Sequence, residues 1–561
     1  MFQKKIILVF IISLFYQTSL FSKSTSYYNF DSKNLSKYFS GIVAFENKDN
    51  TDALSFFNTT KILIESHDPY LKKYLYSLVL ESQVNKAINL VKSNKGKDNT
   101  NFFDAYLLLI LDDLRKGDFK KAYYQLDKAI NLTNKDKFNL AILESLKQYI
   151  YVFKEKKILN DKKNFGKLSI ISETFQRCYL GDISTDKYFS KLVYDDETNY
   201  TRYIFFYLSY LIENNRFDDV KKITDNLNYI NTTLLLSQGK SWVENKRFKK
   251  LTNVFSCKNP NDIISEFLFL ISNIYSSEDD FEKSNFYLNL SNFLNPKFVF
   301  NFSLIAENQF LNGEYKKAKK TLKNFKKEDN FYYWYRIKKE SQIIAKQKNQ
   351  KESLNYIVSK FNKIIEPNNR ILFDIANFYK NSKEYSNAIK YYTKLINSLS
   401  DNLEIKPDLL YRRGGSYERS GAYEQADKDL LDALSIKPDD AYILNYLAYS
   451  WLERDYKIDE AINMLEKAYK LENNDPYIID SIGWAYYLVN DYLKAEKFIK
   501  RAVELMPDDP IVNDHYGDIL WMLDRKIQAR YFWNNVIEME NTENDMIENI
   551  NKKIIEGLKK S

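Results

Sequence analysis

The chain has 561 residues but only two histidines, two cysteines and six tryptophans. A metal centre needs clustered His, Cys or carboxylate ligands, and His67 and His515 stand at opposite ends of the sequence. A Ser/His/Asp triad would have to use one of these two, and neither sits in a strand–turn–helix context. Cys178 and Cys257 are too far apart for a redox motif, which leaves a disulfide or two buried thiols as the readings. Glycine (13) and proline (9) are too scarce for the turns of a large β or α/β protein. Basic residues (83) are interspersed with acidic ones (75), and without a long basic block nucleic acid is not the implied partner.

Hydrophobic residues make up 44% of the chain, ample for burial. Aromatics reach 16%, but Tyr and Phe rise together with Lys, Asn and Ile, as a nucleotide bias would produce. Aromatic richness therefore counts only where position supports it.

The first residues, MFQKKIILVFIISLFYQTSLFSKS, place Lys4 and Lys5 before an apolar run from Ile6 to about Phe15. That is the plan of a secretory signal over residues 1–24, and the run is shorter than the ~20 residues of a membrane span. No Cys follows it, so a lipoprotein anchor is not expected. No later segment is long and uncharged enough to span a bilayer, and the expectation is an exported, periplasmic chain.

Self-similarity organises the rest. In PYIIDSIGWAYYLVNDYLKAEKFIKRAVELMPDD, Pro476 to Asp509, Gly483 is followed by Ala495 twelve residues on, Ala502 seven further and Pro507 five further. The next 34 residues repeat this with Gly517 and Ala529, and Pro407 onward gives Gly414, Ala426, Ala433 and Pro438. Between them lies a 35-residue copy with Ala448, Ala461 and Ala468. Two antiparallel helices cross closely only where small side chains meet, which explains the small slots. Proline ends the second helix of each unit, and all nine prolines fall at expected junctions between helix pairs.

The pattern decays upstream through Ser272 and Ser284, Ala306 and Ala318, and Ala376 and Ala388, while residues 138–199 fit poorly. The predicted organisation is a divergent helical region at 25–264, a repeat superhelix at 265–540 that is clearest at 407–540, and a capping helix at 541–561. Met546, Ile547, Ile550, Ile554 and Leu558 would form the apolar stripe of that helix.

This spacing resembles that of tetratricopeptide repeats. The resemblance implies an all-α, right-handed α-solenoid of helix–turn–helix units and a concave groove lined by slots 2, 5, 9, 12 and 13 of each first helix. Those slots hold Tyr442, Asn445 and Tyr449, then Tyr477, Asp480, Trp484 and Tyr487, then Asp514, Asp518 and Trp521. The NDHYGD stretch, which taken alone suggests a metal or proton-transfer site, thereby becomes groove and packing positions, with His515 between the two stripes. Lys and Arg are absent from slots 5 and 9 of the last three units, so capture of a C-terminal carboxylate is not expected. The GKS at Gly239 to Ser241 lacks the leading glycine of a phosphate-binding loop, since that place is Leu234.

The C-terminal stretch DSIGWAYY…HYGDILWMLDRKIQARYFW is similar to that of exported proteobacterial tetratricopeptide proteins. One branch of these comprises lipoproteins that activate a periplasmic processing protease. The resemblance implies a non-catalytic scaffold without cofactor or metal, adapting an envelope protease or another partner protein. The alternative is an envelope or outer-membrane assembly factor acting through its outer surface or N-terminal repeats.

Overall fold

The computed structural model describes residues 32–558, except 65–66, 95, 97, 134–135, 161, 195–200, 400–403 and 541. The expected leader, residues 1–24, lies outside the described residues. Those residues form 30 α-helices and no strand, and the helices pack as antiparallel pairs in chain order. None of these helices is long and apolar enough to cross a membrane. The all-α fold of stacked hairpins is therefore as expected.

The hairpins are built by local rules. Asp440, Asp475 and Asp509 each cap a first helix, their carboxylates accepting from two backbone N–H groups of the opening turn. Pro476 and Pro510 occupy the first helical position, where no N–H is required. Turns between paired helices use one residue in left-handed conformation. Among the described residues this holds for thirteen hairpins, at Lys48, Ser82, Gly117, Gly181, Asn215, Lys246, Asp279, Gly313, Lys383, Gly421, Asp455 (joined by Lys457 in the same turn), Asn490 and Asp524. In eight of them an aromatic follows two positions later, as in Gly117–Asp118–Phe119 and Asn490–Asp491–Tyr492. This turn signature carries the repeat far into the segment that the small-residue spacing leaves obscure.

All nine prolines lie in the opening turns of helices or in the connections between them. Ala426, Ala433, Ala448, Ala461, Ala468, Ala495, Ala502 and Ala529 are all buried at the hairpin contacts. A Cβ on Gly483 would sit 2.6 Å from Ile499, one on Gly517 2.4 Å from Trp533, and one on Gly414 3.1 Å from Leu430. Overpacking such a contact costs about 1–3 kcal/mol. Gly517→Ala should therefore destabilise the C-terminal unit by that amount in urea unfolding, and an unchanged midpoint would remove glycine's packing role.

The chain divides into two compact units, one from Met1–Leu227 with Thr233–Arg336 and the other from Asn228–Thr232 with Ile337–Ser561. The expected boundary after residue 264 differs, because it falls inside the helix Pro260–Ser277. That helix and its partner, Phe281–Leu294, are central to the first unit. They pack against helices from Asp68–Leu80 to Lys167–Leu180. Tyr76 stacks on Phe286 at 4.6 Å, Arg115 lies over Phe293, and Tyr149 meets Phe267 edge-on. Residues 138–199 supply a long helix, Lys137–Glu155, and the pair Lys167–Leu180 and Thr185–Val193 rather than one regular repeat.

Two polar features hold this first unit. Cys178 and Cys257 form a disulfide, with Cα atoms 5.6 Å apart, closing a loop across 79 positions. Arg202 makes a two-pronged ion pair with Glu266 at 2.8 and 2.7 Å, inside a ring of Phe206, Phe269, Phe298 and Phe300. Burial raises the Glu266 carboxyl, and Arg202 opposes that shift.

The second unit contains a hairpin that the alanine spacing does not disclose, in which Ser341 and Ser353 exchange hydroxyl-to-carbonyl bonds at 3.0 and 2.8 Å. At its C-terminal end the helix Asn544–Glu556 lays Ile550 against Trp533 and Val536, with Met546, Ile554 and Leu558 packed alongside. Capping helices of this kind cover the open face of the last repeat.

Candidate functional site: the aromatic inner face of the second unit

The three first helices Ala441–Leu452, Pro476–Leu488 and Pro510–Met522 contain no Lys or Arg. Their partners Ile458–Leu471, Tyr492–Leu505 and Lys526–Glu538 carry most of the basic residues of this stretch, with Arg454, Lys457 and Arg525 in the turns, so the repeat sorts charge between its first and second helices. At the second slot of each first helix an apolar side chain stands in solvent. Tyr442 is 55% exposed, Tyr477 59% and Ile511 53%. Repetition of an exposed apolar group at one slot in three successive units is not incidental surface, since isolated exposed apolar residues need not align.

Behind this column lies a layered aromatic and acidic cluster. Trp484 stacks on Tyr487 at 4.6 Å and on His515 at 4.0 Å between ring centres, and its Nε1 donates to Glu453 at 3.3 Å. Tyr449 is partly exposed beside Glu453 and Asp480. Its phenol is raised by burial first and by these two carboxylates second. Asn445 leaves its buried side-chain oxygen without a hydrogen-bond partner.

Four of the anticipated groove residues are otherwise engaged. Asp480 accepts from His515 Nδ1 at 3.0 and 3.1 Å, and both side chains are buried. Burial alone would lower the His515 pKa, but the Asp480 charge and hydrogen bond raise it above its ordinary value. Asp514 and Asp518 are not free groove carboxylates. Lys553 of the C-terminal helix reaches both, at 2.7 and 2.8 Å respectively, and Trp533 Nε1 also donates to Asp518 at 3.0 Å. Two carboxylates share one ammonium here. Burial and then the Asp514 charge push Asp518 up to about 6 despite the lysine. Trp521 is 9% exposed, donates to the Leu558 carbonyl, and lies where a Cβ on Gly557 would collide with it. Asp514, Asp518 and Trp521 are taken up because the C-terminal helix covers the end of the inner face, and Asp480 because His515 of the next first helix reaches it.

His515 and Lys553 are the members of this site that groove slots do not identify, whereas Glu453 stands at slot 13 of its unit. His515 lies between the groove-facing stripes, and Lys553 is 35 residues from Asp518 in sequence. Only the apolar stripe of the last helix gave notice that something would dock there. No group of His, Cys, Asp and Glu suited to a metal ion occurs among the described residues.

Residues 335–538 match the tetratricopeptide repeat family. A TPR repeat-containing protein of Pseudomonas aeruginosa is 33% identical over 113 residues, covering 20% of this chain and 19% of that protein. Another, from Methanocaldococcus jannaschii, is 37% identical over 92 residues, covering 16% of this chain and 15% of that protein. The chain thus spans less than a fifth of the length of these curated relatives. Among solved structures, a tetratricopeptide repeat protein from Parabacteroides merdae aligns at 17% identity and a TM-score of 0.38, over 45% of this chain and 97% of that one. Yeast Tom70 aligns at 14% identity and a TM-score of 0.36, over 94% and 96%. Tetratricopeptide repeats accordingly build residues 335–538, the stretch that carries the aromatic inner face.

Proposed function

We propose that this chain is a non-catalytic, exported scaffold that holds a segment of a partner protein against the inner face of residues 441–522. The observation that carries this reading is the column Tyr442, Tyr477 and Ile511, exposed at the same slot of three consecutive repeats. Rigid aromatic rings supply contact area at low entropic cost. First helices without Lys or Arg, edged by Asp440, Glu453 and Asp475 on the part that Lys553 does not reach, favour a segment that alternates apolar and basic side chains. The Cys178–Cys257 disulfide supports export, since disulfides persist in oxidising compartments. An envelope protein is the partner class that follows from that location.

The test compares wild type with Tyr442→Ala/Tyr477→Ala in crosslinked co-purification from an envelope fraction, followed by peptide arrays of the captured protein. Both rings are more than half exposed, so the thermal midpoint should hold within about 2 °C. Capture and peptide affinity should drop at least about tenfold, as expected of central aromatic anchors. Undiminished capture of every partner by the folded variant would place the interface elsewhere.

A further inference from the structure

Within the first unit a cavity of about 650 Å³ opens between the first hairpin, Ser32–Thr59, and the elements from Asp279 to Asn324. Its size lies in the ~300–1,000 Å³ range of small-ligand sites. The chemistry of its wall is unusually mixed. Asn285, Gln309 and Asn312 each have the side-chain carbonyl oxygen fixed by a protein donor: Asn308 at 3.0 Å, Thr321 at 2.8 Å and Lys48 at 2.6 Å. Those contacts settle the amide orientations, and each NH2 group is left without a protein acceptor. Glu282, partly buried beside Asp280 and Glu46, has no ion-pair or hydrogen-bond partner. Asn50, 7% exposed in the same wall, leaves its side-chain oxygen unbonded.

These groups limit the occupant. Three amide NH2 donors disfavour a cation. The acidic side of the cavity, with Glu81, Asp279, Asp280 and Glu282 in its wall, disfavours an anion, and of its three lysines Lys48 and Lys317 are already engaged while Lys320 is exposed to solvent. Lys48 bonds Asn312, while Lys317 bonds Glu314 at 2.8 Å and the Lys48 carbonyl at 3.1 Å. Free donors and free acceptors in one wall suit a ligand whose groups both donate and accept, and hydroxyls do both. Phe281 and Phe302 add apolar surface to the lining, on which the C–H face of a sugar ring can rest.

We infer that this cavity of the first unit is a binding site for a short neutral oligosaccharide. Its hydroxyls would be met by Glu282 as acceptor and by the amides of Asn285, Gln309 and Asn312 as donors. The site stands independently of the aromatic inner face of the second unit.

The experiment presents the full chain to an array of neutral and acidic oligosaccharides and to short neutral peptides, with hits titrated calorimetrically. Wild type should retain neutral glycans, and Gln309→Ala and Glu282→Gln should each weaken them by up to about tenfold. Glu282→Gln preserves shape, so it decides the matter if Gln309→Ala fails to fold. Retention of acidic glycans alone, of peptides alone, or of nothing overturns the proposal. So does neutral-glycan binding that Glu282→Gln leaves unchanged.

Discussion

Lys553→Met should cost the C-terminal unit about 3–5 kcal/mol, the usual penalty for removing one partner of a buried ion pair. The lysine side chain is 19% exposed and the carboxylates it joins are 15% and 6% exposed, so water cannot replace it. Without the ammonium, Asp514 and Asp518 face each other in a poorly solvated site. Urea unfolding followed by tryptophan fluorescence reads the loss, since Trp521 and Trp533 lie within the affected cluster. Adding Asp518→Asn should recover a large part of it, because the remaining carboxylate, Asp514, is the better solvated one. The pH dependence follows from the raised Asp518 pKa. Between about 4 and about 6 Asp518 is protonated more in the folded than in the unfolded state, so its contribution to stability falls as pH rises through that window. Asp518→Asn should flatten that slope. A Lys553→Met protein as stable as wild type would show that the helix is held by its apolar stripe alone.

The second large effect belongs to the first unit. Arg202→Met should destabilise it by about 3–5 kcal/mol, because Glu266 is fully buried and would keep an uncompensated charge or take up a proton. The phenylalanine ring around Arg202 adds cation–π attraction that Met does not replace. Burial already raises Glu266 in wild type. Loss of the arginine should raise it further, so the variant should regain stability as pH falls toward the ordinary glutamate range. Arg202→Met/Glu266→Gln should be less damaged than Arg202→Met alone, the signature of a coupled pair. Additive effects in that double-mutant cycle would deny the pairing any energetic role.

How much of this was legible in the sequence depends on the range of the interaction. Spacing among Gly483, Ala495 and Ala502 is set within one hairpin, so the fold of residues 407–540 could be read from small residues alone. Ser341 and Ser353 keep the twelve-residue interval but replace apolar contact with a reciprocal hydrogen bond, and an alanine pattern passes over them. The left-handed turn followed by an aromatic residue was present in the text all along. It stayed hidden because Gly, Asn, Lys and Asp share one backbone role there without sharing a side chain. The inner face was legible in Tyr442 and Tyr477, whose exposure follows from repeat geometry. Asp514 and Asp518 were misplaced for a different reason. Their partner, Lys553, belongs to a helix outside the repeat, and a slot frame assigns no position to what docks on the last unit.

The disulfide of the first unit has one more consequence. Cys178 and Cys257 are the only two thiols in the chain, so its cysteine chemistry has two principal intramolecular states, both sulfurs free or the pair closed. Alkylation before reduction therefore turns the intact mass of each molecule into a record of its redox history. A single spectrum of protein recovered from cells would separate molecules whose first unit had closed its bridge from those still awaiting an oxidant.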